Sequence, residues 1–392
     1  MAIDDIRSSM RSNEEIIGRS DLDDAEAILA ITTLDETATV HAVADHADAI
    51  FTWDYEKGAR PALSKLYEKA KTSQWNGETD LPWDTAVDPE QAVREQNAAM
   101  NPGAESLVPP FDTTGTPLAS WGEAEYLALG MEMQNHLLSQ FMHGEQGALL
   151  CTAKIVETVP WIDAKYYAAT QVVDEARHVE VFAKYLDTKL AGHYPVNAHL
   201  RMLLDDIIED SRWDMTYLGM QIMVEGLALA AFGMMHQTTS EPLLKQLLRY
   251  VMSDEARHVA FGVLSLKEYY AELSASELRE RQEFAFEAAV RMRDRFLQQE
   301  VWQRLDIDVA PLIPILRQDP GRILFQQLLF SKIVPNCKKL GLLDAGAPAG
   351  GKGWLRERFE EMDVIQFEDM VDTGEEYEAL DAVAADRATA GA

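Results

Sequence analysis

The chain holds only two cysteines, Cys151 and Cys337, in 392 residues, which excludes a disulfide framework and a cysteine-built metal site. Basic residues are scarce as well: 35 lysines and arginines stand against 66 acids, for a net charge of −31. Such a surface repels phosphate backbones and anionic membrane faces, so nucleic acid and membrane are not expected partners. No apolar run approaches the roughly 20 residues of a membrane span. The opening stretch MAIDDIRSSMRSNEEII is acidic and lacks the apolar core of a signal peptide. Strand-like alternation of useful length is missing too. These absences leave a cytoplasmic, all-α chain as the expectation, with a hydrophobic fraction of 47% to supply the core.

What is present divides the chain into four stretches. Residues 1–119 form an acidic N-terminal segment: loosely patterned to about residue 40, helical over about 41–74, then a loop with prolines from Pro82 to Pro117. Residues 120–305 carry long proline-poor helical patterns. Ser120 and Glu123 fit a capping box at the first helix start, and Pro160 suits the first turn of a second helix running to about Leu190. GHYPVN at 192–197 is a break, and a third helix is expected over about 198–237. Ser240-Glu241-Pro242 opens a fourth; Ser274 and Glu277 cap a fifth that reaches about Leu305. Residues 306–345 are expected to hold C-terminal helices interrupted by Pro335, and 346–392 an acidic, partly disordered tail.

One pentapeptide occurs twice, as Asp174-Glu175-Ala176-Arg177-His178 and as Asp254-Glu255-Ala256-Arg257-His258. In each, Glu and His stand three residues apart, side by side on a helix and able to chelate a metal. Alone, that pair is a common surface pattern. Thirty residues before each Glu, however, stands another, Glu145 and Glu225, each within a strongly apolar stretch. A carboxylate among Met, Leu, Ala and Phe is costly to bury unless something pairs it. Pro160 lies midway between Glu145 and Glu175, so a helical hairpin runs about 22 Å out and back and returns the second Glu to the height of the first. Pro242 divides the second hairpin almost as evenly. Two hairpins related by a pseudo-twofold would gather Glu145, Glu175, His178, Glu225, Glu255 and His258 in one bundle centre. One Glu from each of two helices plus Glu-x-x-His from each of the other two is the donor set of a carboxylate-bridged dinuclear site. A plain salt-bridge network would leave four carboxylates repelling one another in a core. Oxygen donors with two imidazoles favour Fe or Mn over Cu or a structural zinc.

These residues resemble the ferritin-like di-iron carboxylate superfamily, and the Asp-Glu-x-Arg-His form resembles its oxygen-activating branch: monooxygenase hydroxylases, arylamine N-oxygenases, acyl-carrier-protein desaturases and ribonucleotide reductase small subunits. The stretch YEKAKTSQWNGETDLPWD, residues 67–84, is similar to the segment preceding the bundle in the reductase subunits and their oxidase relatives. The resemblance implies a ferritin-like four-helix bundle with additional N- and C-terminal helices. It makes the six residues both metal ligands and catalytic centre, with two Fe ions, or Mn/Fe, as cofactor. It also places Asp174 and Asp254 on the free nitrogens of the histidines and pairs Arg177 and Arg257 with those aspartates. The implied activity is oxygenation of an apolar organic substrate by O2: hydroxylation, N-oxygenation or desaturation. A Mn/Fe oxidase and a ferritin-like iron-binding protein are the alternatives. Electrons are expected from an external reductase or ferredoxin, and the assembly is expected to be a homodimer.

Several positions depart from the branch patterns. Phe182 stands where reductase subunits commonly carry a radical tyrosine. Gly226-Leu227-Ala228-Leu229 offers no threonine one turn after Glu225. Val251 stands where arylamine N-oxygenases commonly carry a further histidine. His143 lies about 200° around the helix from Glu145 and reads as a non-ligand, and His136 and His236 lie turns away. Trp75, Trp83 and Trp213 read as core residues before electron relays. Cys151 and the methionines at 220, 223, 234 and 235 read as packing. Ala148, Leu149, Ala228, Leu229 and Phe232 are small or apolar enough to line a substrate cavity.

Overall fold

Proline and side-chain caps set where the helices begin. Asp88 accepts from the backbone N–H groups of Glu90 and Gln91 ahead of Pro89, and Glu241 accepts from those of Leu243 and Leu244 ahead of Pro242. In the computed structural model, which describes residues 40–370 apart from Asp54, Pro110, Phe111, Ala191 and Asp319, the chain is all-α. The expected loose N-terminal stretch before residue 40 and the last part of the tail, 371–392, lie outside the described residues.

Among the described residues, two short helices come first, α1 (Pro61–Thr72) and α2 (Pro89–Met100). The first hairpin is α3 (Glu123–Thr158) and α4 (Ile162–Lys189). Helix α5 (Ala198–Glu209) crosses back to α6 (Trp213–Tyr217), which continues through a π-helical turn, Leu218–Val224, into α7 (Glu225–Thr238). Helix α8 (Pro242–Tyr270) completes the second hairpin. Around this ferritin-like bundle run α9 (Ala275–Asp294), α10 (Gln299–Arg304), α11 (Ile313–Gln318), α12 (Pro320–Leu329), α13 (Val334–Lys339) and α14 (Trp354–Glu361). Close approach needs glycine at two places: a Cβ on Gly147 would meet Leu204 at 2.5 Å, and one on Gly219 would meet Ile207 at 2.5 Å, so α5 lies directly on α3 and on the π turn.

The helix Trp213–Thr238 is apolar and long enough to cross a membrane, longer in that respect than the sequence reading allowed, but 83% of its apolar window is buried within the protein. It is the core helix of the bundle.

Five expectations are corrected. The helix expected over 41–74 forms only from Pro61. The residue before a proline is driven out of the α region, and Gly58 sits at φ +114°. Residues 40–60 instead run along the bundle end, where the N–H groups of Gly58 and Arg60 donate to Asp163 and that of Ile50 to the Glu157 carbonyl. The capping box at Ser120/Glu123 is displaced: Glu125 accepts from the Gly122 N–H, and Glu123 instead holds Ser106 and the Leu107 N–H. The helix expected over 198–237 is broken at residues 210–212, where Asp210 accepts from the Arg212 N–H and closes a local turn. The fifth helix stops at Asp294, and Gln298 at φ +51° restarts the chain as α10. Pro335 opens α13 rather than interrupting a helix, because the first turn needs no N–H there. In the first part of the stretch expected to be an acidic, partly disordered tail, α14 buries Leu355 and Phe359 against the core. The Ser274/Glu277 capping box forms as expected.

Candidate metal centre

The six sequence candidates meet in the middle of the bundle. Glu145 comes from α3, Glu175 and His178 from α4, Glu225 from the first turn of α7, and Glu255 and His258 from α8. All six are buried, none more than 5% exposed. Glu145 Oε2 and Glu255 Oε1 each lie 3.2 Å from His178 Nδ1. Glu175 reaches both imidazoles, at 3.4 Å from His178 Nδ1 and 3.1 Å from His258 Nδ1. Glu255 does the same, 3.6 Å from His258 Nδ1. Glu175 and Glu255 therefore stand between the two halves, whereas Glu145 and Glu225 each stand on one side. Two donor groups result: Glu145, Glu175, His178 and Glu255, and Glu175, Glu225 and His258. This cluster can bind two metal ions.

Without cations the cluster is electrostatically frustrated. Burial, with Glu255 beside them, pushes the carboxyls of Glu145 and Glu225 well above the ordinary range. Burial also disfavours an ionised Glu175, but His258 and His178 outweigh it and hold that carboxyl below its usual value. Burial opposes charge on His178, yet Asp254, Glu145, Glu175 and Glu255 together drive its pKa well up. Protons stand in for cations in such a set, and metal binding would release them. Glu175 Oε2, Glu225 Oε2, both oxygens of Glu255 and His258 Nδ1 are buried and make no aligned hydrogen bond even where another of these side chains is close, as ligand atoms facing metals require.

The aspartates hold the histidines crosswise. His178 Nε2 lies 3.2 Å from Asp254, of the other hairpin, and His258 Nε2 lies 3.4 Å from Asp174. Each repeat thus orients the other's imidazole, fixing Nδ1 toward the centre. Arg177 donates to Asp174 and, at 3.0 Å, to Asp254; Arg257 donates to Asp254. The segment after α1 closes this layer: Trp75 Nε1 donates to Asp254 at 2.8 Å and Gln74 Nε2 to Asp174 at 3.2 Å. The Arg177 guanidinium stacks over the Trp75 ring at 4.6 Å. Trp83 donates instead to the Gly77 carbonyl, and Trp213 packs against Trp161 and Tyr269 at the bundle end.

The remaining candidates fall elsewhere. His143 turns to the Tyr194 carbonyl at 2.9 Å, and His136 pairs with Glu300 at 3.2 Å. Near Phe182, which stands at the radical-tyrosine position, the tyrosine three residues on, Tyr185, donates to Glu241, the cap of α8. Phe182 packs with Phe141 and Phe232. Cys151 is buried, its thiol pushed up by burial. The five residues expected to line one cavity divide between opposite ends of the bundle. Phe232, after Glu225, meets Phe141, before Glu145, at 4.6 Å, so the two hairpin turns lie at opposite ends. Ala148 and Leu149 consequently point one way along the axis, and Ala228, Leu229 and Phe232 the other.

Sequence reading missed Gln171, whose amide Nε2 donates to Glu175 at 2.8 Å and to Glu225 at 2.9 Å. A signal existed: Tyr167-x3-Gln171-x3-Glu175 recurs as Tyr217-x3-Gln221-x3-Glu225.

An all-α bundle with four buried carboxylates and two imidazoles in two sharing groups defines a ferritin-like di-metal protein. The family model of P-aminobenzoate N-oxygenase AurF matches residues 56–341, most of the chain and every residue of the centre. The chain belongs to that family, within the ferritin-like di-iron oxygenases and oxidases. Among solved structures, two mutants of an R2-like ligand-binding oxidase with anaerobically reconstituted Mn/Fe cofactor are similar at 19% and 17% identity, with TM-scores of 0.45 and 0.46. The matches cover 75% and 73% of this chain and 98% and 99% of theirs. No curated protein sequence matches the chain. Val251 stays apolar and buried, so that position adds no histidine to the six residues of the cluster.

Proposed function

We propose that the protein oxygenates the amino nitrogen of an aromatic amine with O2, using Glu145, Glu175, His178, Glu225, Glu255 and His258 to hold two iron ions. The observation that carries this reading is the N-oxygenase family match across residues 56–341. Bound iron would supply the redox chemistry that activates O2. The chain's own groups do the rest. Asp174 and Asp254 keep both imidazoles turned to the centre, Gln171 positions Glu175 and Glu225, and the phenylalanines of α3, α4 and α7 keep bulk water from the Phe141 side. Two buried free cysteines cannot ligate an iron–sulfur cluster, so electrons come from a separate reductase or ferredoxin. Free buried thiols also suit the cytoplasm.

The test is to load the protein with Fe(II), supply a chemical reductant and O2, and follow p-aminobenzoate. Formation of a hydroxylamine or nitro product supports the reading. Oxygen consumption with p-aminobenzoate unchanged and a hydrocarbon probe hydroxylated would replace it with C–H oxygenation.

A further inference from the structure

On the Pro160 side of the centre, the core contains polar groups that metal binding does not use. Tyr167 and Gln171 stand eight and four residues before Glu175, and Tyr217 and Gln221 stand eight and four before Glu225. Four residues are about one turn, so each pair forms a file beneath its glutamate. The files converge: Gln171 bridges both glutamates, and the rings of Tyr167 and Tyr217 both pack on Phe261, at 4.4 and 5.0 Å. Tyr167, Gln171, Thr216 and Gln221 are each 0% exposed. Yet Tyr167 Oη, Gln171 Oε1, Thr216 Oγ1 and both amide atoms of Gln221 have no hydrogen-bond partner. Each such group costs about 1–3 kcal/mol when buried unpaired, so five together demand a guest that bonds to them.

The guest is small, because a Cβ on Gly262 would come within 2.6 Å of Gln221 and the Tyr167 and Phe261 rings are in contact. It is neutral, because the nearby cations are already committed, Arg257 to Asp254 and Arg281 to Asp214. It both donates and accepts, since amide N–H, amide oxygen and hydroxyls all lack partners. Water meets all three conditions.

We propose that the Tyr167–Gln171 and Tyr217–Gln221 files hold a chain of ordered water that carries protons to the metal centre from the Asp214–Arg281 end. This rests on the O2-reducing part of the proposed function and is independent of the organic substrate. Transfer of one oxygen atom of O2 to a substrate consumes two electrons from the external donor and two protons, and releases one water; without a substrate, the same two electrons and two protons reduce O2 to hydrogen peroxide. Along the files each water or hydroxyl accepts a proton on one side and donates one on the other, so none ends with a changed charge. The outer end is Asp214, three residues before Tyr217 and about one turn from it; Arg281 holds this buried carboxylate at 2.9 Å and the half-exposed Glu280 at 3.2 Å, which brings a surface carboxylate beside the file while the guanidinium itself passes no proton. On the opposite side of the centre, Gly226-Leu227-Ala228-Leu229 offers no hydroxyl for the same task.

Two measurements test this together: a crystal structure of the metal-free protein, and O2 consumption by the reduced, iron-loaded parent, Tyr167→Phe and Gln221→Leu, in H2O and D2O without organic substrate. The proposal expects waters within hydrogen-bond distance of Tyr167 Oη, Gln171 Oε1 and the Gln221 amide. It expects both variants to keep their iron and to consume O2 about tenfold more slowly or worse, with a larger solvent isotope effect. A dry core at these atoms, or variants matching the parent in rate and isotope effect, overturns it. A parent that loads iron and consumes no O2 overturns the functional reading and this proposal together; unaffected variants of an active parent overturn this proposal alone.

Discussion

The two sides of the bundle core, one turn above and one turn below the metal level, are built from equivalent positions and filled with opposite chemistry. The 80-residue repeat relates Glu145 to Glu225, Glu175 to Glu255 and His178 to His258. One turn away it relates Gln171 to Val251 and Phe141 to Gln221, and two turns away Tyr167 to Leu247. Because the hairpin turns lie at opposite ends, the polar members of these pairs gather on the Pro160 side. The apolar members gather on the other, around Phe141, Phe182 and Phe232. The symmetry is kept where two metals need matching donors and abandoned where the surroundings must differ. A centre that passes protons on one face and excludes water on the other needs that break.

The largest expected effect tests the symmetric part. Glu225→Ala removes a one-sided donor and should abolish loading of the dinuclear centre, read as metal per folded chain; full retention of two metals would remove Glu225 from the ligand set. The apolar half is tested next. Phe232→Ala should cost about 3–5 kcal/mol in denaturant unfolding, since its fully buried ring packs against Phe141 and Phe182. A cost under about 1 kcal/mol would mean that side is loosely filled and the contrast is false.

A largely buried carboxylate away from the metals serves as a control. Burial pushes Glu287 on α9 from 4.5 up to about 7, against the pull of Arg291. A carboxyl whose folded value is raised contributes stability below its unfolded value and loses it as pH rises through the folded one. Glu287→Gln should therefore match the parent's pH trend at the acid end and exceed its stability at pH 8, by up to about 3 kcal/mol. Equal stability at both values would show that burial alone does not penalise a carboxylate here. The smallest effect is expected at Trp75→Phe, which takes one donor from Asp254 and should cost about 1–2 kcal/mol while leaving metal content intact.

Much of this was legible in the sequence, for identifiable reasons. The ligand glutamates and histidines announce themselves because spacing along one helix converts directly into position on one face, and because a carboxylate in an apolar stretch needs a partner. Helix starts at Pro242 and Ser274 follow from local capping. What escaped depends on residues distant in the chain. Trp75 meets Asp254 across 179 positions. The crosswise pairing of Asp174 with His258 follows from how the hairpins pack, which no spacing encodes. The break after Glu209 rests on one short side chain, Asp210, outcompeting the helix for a backbone N–H. The stretch at 40–60 has helical composition but takes its hydrogen bonds from Asp163 and Glu157. The Tyr-x3-Gln-x3-Glu repeat was visible, but its offset of 50 differs from that of the pentapeptide, and its meaning emerges only when both files end at one centre.

The most direct test is an anaerobic titration of the metal-free protein with Fe(II), counting iron bound per chain. The account predicts saturation at two tightly held ions. Saturation at one, or no tight binding, would contradict the claim that these four glutamates and two histidines form a dinuclear centre.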